Sequence, residues 1–366
     1  MNMNTINFRT KYVLITLLIL TGIFCTGAAS PTSLIRISVS FAGDTTLGWD
    51  ERRSPGNSFP EVFAQAERAG ECPYEYFFAN VRHIFEQDDI AFVNLEGPLT
   101  NRREHRDRTF IFRGPPEYAK ILSKGGVTLA GLVNNHTLDF FQAGLLDTMQ
   151  ALEDEGIGFF ADDFPYMEYI NGVTIGFLGY NGWNLSNMNR ISRDIPALKE
   201  RGADIVVVSF HWGTEYAYYP TQTQQTLGRH AIASGADLVI GHHPHVIQGI
   251  EVYRDRFIVY SLGNFCFGGN RNPPDHDTFI YRHVFFFEQL ETGEIVRRED
   301  LDQAYIIPCS ISSVRGRNNF QPTPLTGGDA MRLFSRMAEY SRDLGTQGPL
   351  DIFDKLSGLI LPIPID

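Results

Sequence analysis

Cysteine is scarce in this chain and nowhere clustered. Of the four residues, Cys25, Cys72, Cys266 and Cys309, no two are close enough for a zinc knuckle. Three of them fall in the body of the chain. They fit one disulfide plus a free thiol, or three buried unpaired thiols. Basic charge is also in deficit: 31 Lys and Arg face 43 Asp and Glu, for a formal net charge of -12. No basic face is evident, which argues against nucleic acid as a partner, and a divalent cation suits the balance better. Repeats and low-complexity segments are absent. One long hydrophobic run stands alone, at the N-terminus, where Arg9 and Lys11 precede residues 12–25 and the small residues 26–30. That order of basic start, apolar middle and small-residue zone is the layout of a secretory signal. A stretch of about 18 residues is also just enough to span a bilayer, so residues 1–29 read as a signal peptide or a signal anchor. Either way the folded part is expected outside the cytoplasm, periplasmic or at the cell surface.

What is present is an ordinary globular balance, 43% apolar and 20% charged, ample for a large core. Aromatics reach 13%, with 28 Phe and 15 Tyr, as broad sheet packing requires. Short apolar β-type runs recur and stop abruptly at polar residues. Run 35–42 meets Gly43 and Asp44, and run 90–93 meets Asn94, Leu95 and Glu96. Run 127–133 meets Asn134, Asn135 and His136, and run 173–178 meets Gly179. Run 205–210 meets His211 and Trp212, run 238–240 meets the stretch from Gly241 to His245, and run 257–262 meets Gly263 and Asn264. Helical patterns at 76–87, 117–124, 143–155 and 221–234 lie between them, which predicts an α/β fold. Segment 50–75 reads as a loop insertion. Residues 278–289 and 304–311 read as strands completing a second sheet, and 330–344 as a terminal helix. The expected division is one domain over 30–325, with a helix and tail over 326–366 packed on it.

In an open α/β sheet, ligands bind at the carboxyl ends of the strands. Five such ends carry Asp44, Glu96, Asn135 with His136, His211, and His243 with His245. Histidine is sparse, ten in all, yet three fall within four residues at 242–245 around Pro244. The bland reading of each motif alone is a turn, a cap or a hydrogen-bonded histidine. Taken together, mixed oxygen and imidazole donors at matching strand ends point to a pair of transition-metal ions such as Mn, Fe or Zn. Two such ions activate water and clamp a phosphoryl oxygen, with a nearby histidine as proton donor. Arg113 is a candidate for holding an anionic substrate. Glu215 is a candidate for substrate binding or for supporting the His211 loop, as is Trp212 for the loop, and Asn264 for substrate binding or turn stabilisation.

The series Phe41-Ala-Gly-Asp44, Val93-Asn-Leu-Glu96, Asn134-Asn-His136-Thr-Leu-Asp139, His211-Trp-Gly-Thr-Glu215, Gly241-His-His-Pro-His245 and Tyr260-Ser-Leu-Gly-Asn264 resembles the CapA family. These are poly-gamma-glutamate capsule biosynthesis proteins of the calcineurin-like metallophosphatase superfamily. The resemblance covers about residues 35–270. It implies a two-sheet sandwich flanked by helices in four αββα layers. It implies that Asp44 and His245 hold a first metal, that Asn135, His211 and His243 hold a second, and that Glu96 bridges them. His136 would be the proton donor, oriented by Asp139. His242 is the alternative register for His243. Thr46 stands where the wider superfamily has a histidine, which would leave the first metal fewer ligands. The function implied is a dinuclear hydrolase of phosphoester-type bonds in capsule production. The other class of reading is a non-catalytic component, handling an anionic polyglutamate polymer within a membrane-bound synthesis complex.

Overall fold

The computed structural model describes residues 33–53, 56–345, 356 and 358–359; the signal-like N-terminal segment and most of the C-terminal tail lie outside them. Strand β1 (Ser33–Thr46) is the axis of the fold. Its side chains alternate between two faces, as the pleat dictates. Ile37, Val39 and Phe41 point into one apolar layer and Ala42 into another. The other face carries Arg36, Ser38 and Ser40, and the buried Ser38 and Ser40 hydroxyls donate to Asp89 and Asp88, so the run alternates although both faces are covered.

Around β1 a ten-stranded sheet runs in the order β15 (Thr323–Pro324), β14 (Gln303–Ser310), β12 (Asp277–Gln289), β1, β2 (Ile90–Leu95), β3 (Leu129–Gly131), β4 (Gly158–Phe160). To it are added β11 (Asn264–Phe267) beside the end of β1, β13 (Ile295–Arg297) on β12, and β16 (Gly358–Leu359) on β14. The second sheet has six strands in the order β5 (Tyr166–Ile170), β6 (Val173–Gly182), β7 (Ile205–Trp212), β8 (Leu238–His242), β10 (Arg256–Val259), β9 (Ile250–Tyr253). Strands β1 to β4 are mutually parallel, as are β6, β7, β8 and β10. The crossovers therefore supply helices to the outer faces.

Helices α1 (Phe59–Arg68), α2 (Pro73–Tyr76), α3 (Arg82–Phe85), α4 (Ala119–Lys124) and α5 (Phe141–Asp154) are joined to the first sheet through Phe59, Phe77, Phe85, Leu122 and Leu152. Helices α6 (Met188–Glu200) and α7 (Gln222–Ala233) pack on the second through Ile191, Ile195 and Leu227. The inter-sheet layer joins residues of both sheets and takes Leu333, Phe334 and Met337 from α8 (Gly327–Ser341). Each fully buried side chain of this kind contributes about 1.5–3 kcal/mol. A stack of Phe92, Phe160 and Phe177, with centroids 5.7 and 6.3 Å apart, crosses from one sheet to the other. The four-layer αββα sandwich is thus the architecture observed.

Three local readings change. The strands after residue 275 do not complete the second sheet: β12 pairs antiparallel with β1 from Ser33↔Gln289 to Phe41↔Tyr281, and β14 pairs with β12. Their Phe and Tyr alternation fixes a face but not a partner. Segment 50–75 holds α1 and α2, and Phe59, Val62 and Ala66 of α1 are buried. The pattern at 76–87 is broken, because Phe77 and Phe78 turn into the core between α2 and α3. Of the two cysteine readings, unpaired thiols hold among the described residues: Cys266 and Cys309 are buried and Cys72 is exposed, all three free. Among the described residues no helix is long and apolar enough to cross a membrane.

Candidate metal centre

The centre begins with a bulge. β1 pairs with β12 as far as Phe41, then shifts register against β2 between Ala42 and Asp44, and takes β11 as its neighbour at Asp44↔Asn264. Gly43 permits this switch. A Cβ there would lie 2.0 Å from the Gly263 carbonyl oxygen, which accepts a hydrogen bond from the Asp44 amide at 2.9 Å. Bulges re-aim side chains next to active sites. This one leaves Asp44 fully buried at the seam of the two sheets.

The donors come from both sheets. Asp44 lies near the end of β1, Glu96 directly follows β2, and Asn135 and His136 come after β3. His211 is the next-to-last residue of β7, His242 is the last of β8, and His243 and His245 follow it. Asp44 accepts from the Asn94 amide at 2.8 Å and the His243 backbone amide at 3.1 Å. His245 Nδ1 lies 3.2 Å from Asp44 Oδ2, and His242 Nδ1 lies 3.6 Å from Oδ1. Glu96 Oε1 is 3.6 Å from His211 Nε2 and 3.9 Å from His245 Nε2. His211 Nε2 is also 2.9 Å from Asn135 Oδ1. Three ligand-capable groups emerge, each with donor atoms within 4.8 Å of one another: Asp44, Glu96 and His245; Glu96, His211 and His243; Glu215, His243 and His245. The first two share Glu96.

The chemistry of the donor set fits a cation. Both Glu96 oxygens are buried with no hydrogen-bond partner, as are both His242 nitrogens and His243 Nδ1. A carboxylate so placed costs several kcal/mol unless an ion compensates it. Burial pushes Glu96 well above the ordinary carboxylate range, with the Asp44 and Glu215 charges adding to the effect against the opposing charge of His245. Burial also raises Asp44, but the His245 hydrogen bond and the charges of His245, His242 and His211 outweigh it and hold Asp44 well below that range. Burial favours neutral imidazole at His211, well below its usual value, and at His242 and His243, both lowered to about 4. Neutral imidazole is the ligating form. At His245 burial is overcome by Glu96 and Asp44, and its pKa rises to about 9.

The histidine loop is held in a backbone form that few residues take. His243 has φ +97° and His245 φ +58°. Such strain concentrates at functional sites. Asn264 grips His245 twice, with Oδ1 2.9 Å from Nδ1 and its amide donating to the His245 carbonyl at 3.1 Å. It therefore orients a ligand candidate. His136 Nδ1 meets Asp139 Oδ2 at 2.7 Å. Asp139 in turn accepts from the Phe112 amide at 3.0 Å and from Arg108 at 3.4 Å. His136, His245 and Glu215 line one cleft of about 480 Å³ with Trp49, Arg53 and Phe112.

Other sequence candidates go elsewhere. Arg113 lines a neighbouring depression with Asp50 and Phe140, and donates to Glu51 and to the Arg102 carbonyl. Trp212 turns away into the outer core, stacked on Phe210 and donating to the Tyr260 carbonyl at 2.8 Å. Thr46 donates to the Glu96 carbonyl at 2.8 Å. Two site residues escaped the sequence reading. Asn94 links Asp44 with His211, 3.3 Å from Nδ1, and Trp183 sets its ring edge-on to His211 and His243, at 5.7 and 4.6 Å. The position of Asn94, two residues before Glu96 at a strand end, was the available signal; Trp183 carried none.

The family model described as bacterial capsule synthesis protein PGA_cap matches residues 38–269. PGA biosynthesis protein CapA of Bacillus subtilis (strain 168) is 32% identical over 255 residues, covering 63% of this chain and 63% of that protein. Capsule biosynthesis protein CapA of Bacillus anthracis is 31% identical over 221 residues, 53% of this chain and 54% of that protein. The chain thus covers less than two thirds of the length of either relative. A crystal structure of a hypothetical protein from Thermus thermophilus is similar with a TM-score of 0.40 and 16% identity, over 74% of this chain and 99% of that one.

Proposed function

The chain belongs to the bacterial capsule synthesis protein family PGA_cap, and from that premise we propose that its buried centre is a dinuclear metal site that hydrolyses a phosphoester-type bond in poly-gamma-glutamate capsule production. The observation that carries this reading is the sharing of Glu96, unpartnered and fully buried, between two ligand groups. Asp44, Glu96 and His245 would hold one ion, and Glu96, His211, His243 and Asn135 the other, with Mn, Fe or Zn matching the donors. Divalent cations bound there supply Lewis acidity to a phosphoryl oxygen and lower the pKa of water. The chain's own part is positional and protonic. Asn94 and Asn264 fix the donors. Asp139 engages His136 Nδ1, which leaves Nε2 to pass a proton to the leaving oxygen. The work is done outside the cytoplasm on an anionic substrate, at or near a membrane-bound synthesis complex.

Thr46 favours a second reading, because a hydroxyl committed to the Glu96 carbonyl adds no ligand to the first ion. On that reading the centre binds metal and grips an anionic polymer without turnover. The purified protein loaded with Mn, Fe or Zn is assayed on simple phosphomonoesters and phosphodiesters. Hydrolysis requires metal-stimulated turnover that falls about 10²–10⁴-fold in His136→Ala with metal content unchanged. Stoichiometric metal without turnover sinks hydrolysis and leaves the binding role. No bound metal removes both.

A further inference from the structure

We propose that Glu215 is a ligand of the metal centre, closing it on the solvent side as Glu96 closes it on the buried side. The inference rests on the metal-centre reading above. Glu96 is fully buried, whereas Glu215 is exposed at the cleft that His136 and His245 line. A Glu215 carboxylate oxygen lies within 4.8 Å of ring nitrogens of both His243 and His245. Those two histidines fall in different ligand groups around Glu96, so one carboxylate at this point reaches both halves of the centre.

The chain spends structure on that placement. After His211 the backbone reverses at Gly213, φ +86°, where a Cβ would sit 2.6 Å from Gln224 Oε1. Gln224 donates to Gln248 at 2.8 Å, and Gln248 donates to the Ala217 carbonyl at 2.8 Å. Tyr216, at φ +61°, is in the left-handed region that an aromatic residue rarely takes. Its amide donates to the Pro244 carbonyl at 2.7 Å, a group of the histidine loop itself. The Glu215 segment is thus tied to the loop that carries His243 and His245.

Charge decides between a ligand and a substrate contact. A carboxylate at the mouth of a cleft meant for an anion repels that anion, and becomes useful only with a cation between them. The first ion's group holds three side chains, so a fourth coordination position is open to a further donor. Thr46 supplies none.

The test compares wild type, Glu215→Gln and Glu215→Ala, each stripped by chelator. Zinc is titrated in against a chromophoric competitor, and the cobalt(II) form is examined for its visible absorption. Because Glu215 is exposed, both variants should fold as wild type by circular dichroism. Loss of a ligand should weaken at least one site about ten-fold or more and change the cobalt band. Two sites of unaltered affinity with an unaltered cobalt spectrum overturn the inference while leaving the centre intact. A wild type that binds neither ion overturns the centre and the inference together.

Discussion

Glu96→Gln separates the two things a buried carboxylate can do. The substitution keeps the shape and removes the charge. Its oxygens have no hydrogen-bond partner among the described residues, and the nearest cationic group, His245, is 3.9 Å away. An uncompensated buried charge of this kind costs about 3–5 kcal/mol, against about 1–3 kcal/mol for an unsatisfied neutral polar group. Burial already pushes the Glu96 carboxyl toward its neutral form, so in chelator the Gln variant should be at least as stable as wild type, with a gain of up to about 4 kcal/mol from the difference of those two ranges. Metal reverses the order. At a hundred times its dissociation constant an ion adds about 2.7 kcal/mol to wild type, which for a domain of this size is about 4 °C in Tm. The Gln variant, having lost the donor common to both ligand groups, should gain a small part of that. Calorimetry on four samples, two proteins with and without metal, reads the crossing. A Gln variant that melts lower than wild type in chelator, and still rises as far with zinc, refutes the reasoning.

Gly43→Ala should be more disruptive than any single ligand change, since its Cβ meets the Gly263 carbonyl oxygen at 2.0 Å; a loss of about 2–4 kcal/mol with failed metal uptake is the expected result by denaturant titration and metal analysis. Arg282→Met should cost about 3–5 kcal/mol, because the Asp88 side chain is buried in its ion pair and would lose the guanidinium 2.8 Å away; urea titration measures it. His283 lies away from the centre, buried beside Phe257 and Phe285 with Asp302 at 3.6 Å. Burial lowers its pKa against the pull of Asp302. The unfolded state therefore binds more protons, and stability falls as pH drops below the unfolded value of about 6.5 toward the folded one. His283→Gln should flatten that part of the stability-versus-pH curve relative to wild type, and parallel curves would contradict the assignment.

The strand runs were legible because β2, β3, β6, β7 and β8 are buried on both faces and leave largely apolar stretches, while β1 alternates Ile37, Val39 and Phe41 with Ser38 and Ser40. Their true ends were less so. Asn94 belongs to β2, and His211 and Trp212 to β7, because a neighbouring strand pairs with them there. A reading that stops at the first polar residue cuts such strands short. Helix α6 was missed: its polar residues and Pro196 hide an apolar stripe of Ile191, Ile195 and Leu198 that makes sense only against the second sheet. Arg113 and Trp212 show the limit for single residues. Motif position cannot tell a guanidinium facing a ligand from one committed to Glu51, nor an indole over a site from one inside the core.

The same pairing explains why the ligand set was readable when its sheet assignment was not. Asp44, Glu96 and Asn135 end or follow strands of one sheet, and His211, His243 and His245 end or follow strands of the other. Strand ends announce themselves in sequence whichever sheet they finish. The partner across the seam does not, since β12 bears the same alternating Phe and Tyr as a strand of either sheet would. An ion held between Asp44 and Glu96 on one side and His211, His243 and His245 on the other would cross-link the two sheets where the Phe92–Phe160–Phe177 stack does not reach. Opening of the seam should then be the event that metal suppresses. Amide exchange at β7 and β8 next to the histidines should slow on metal addition, whereas exchange in β14, remote from the centre, should not. Equal slowing in both places would mean that metal acts on global unfolding and not on the seam.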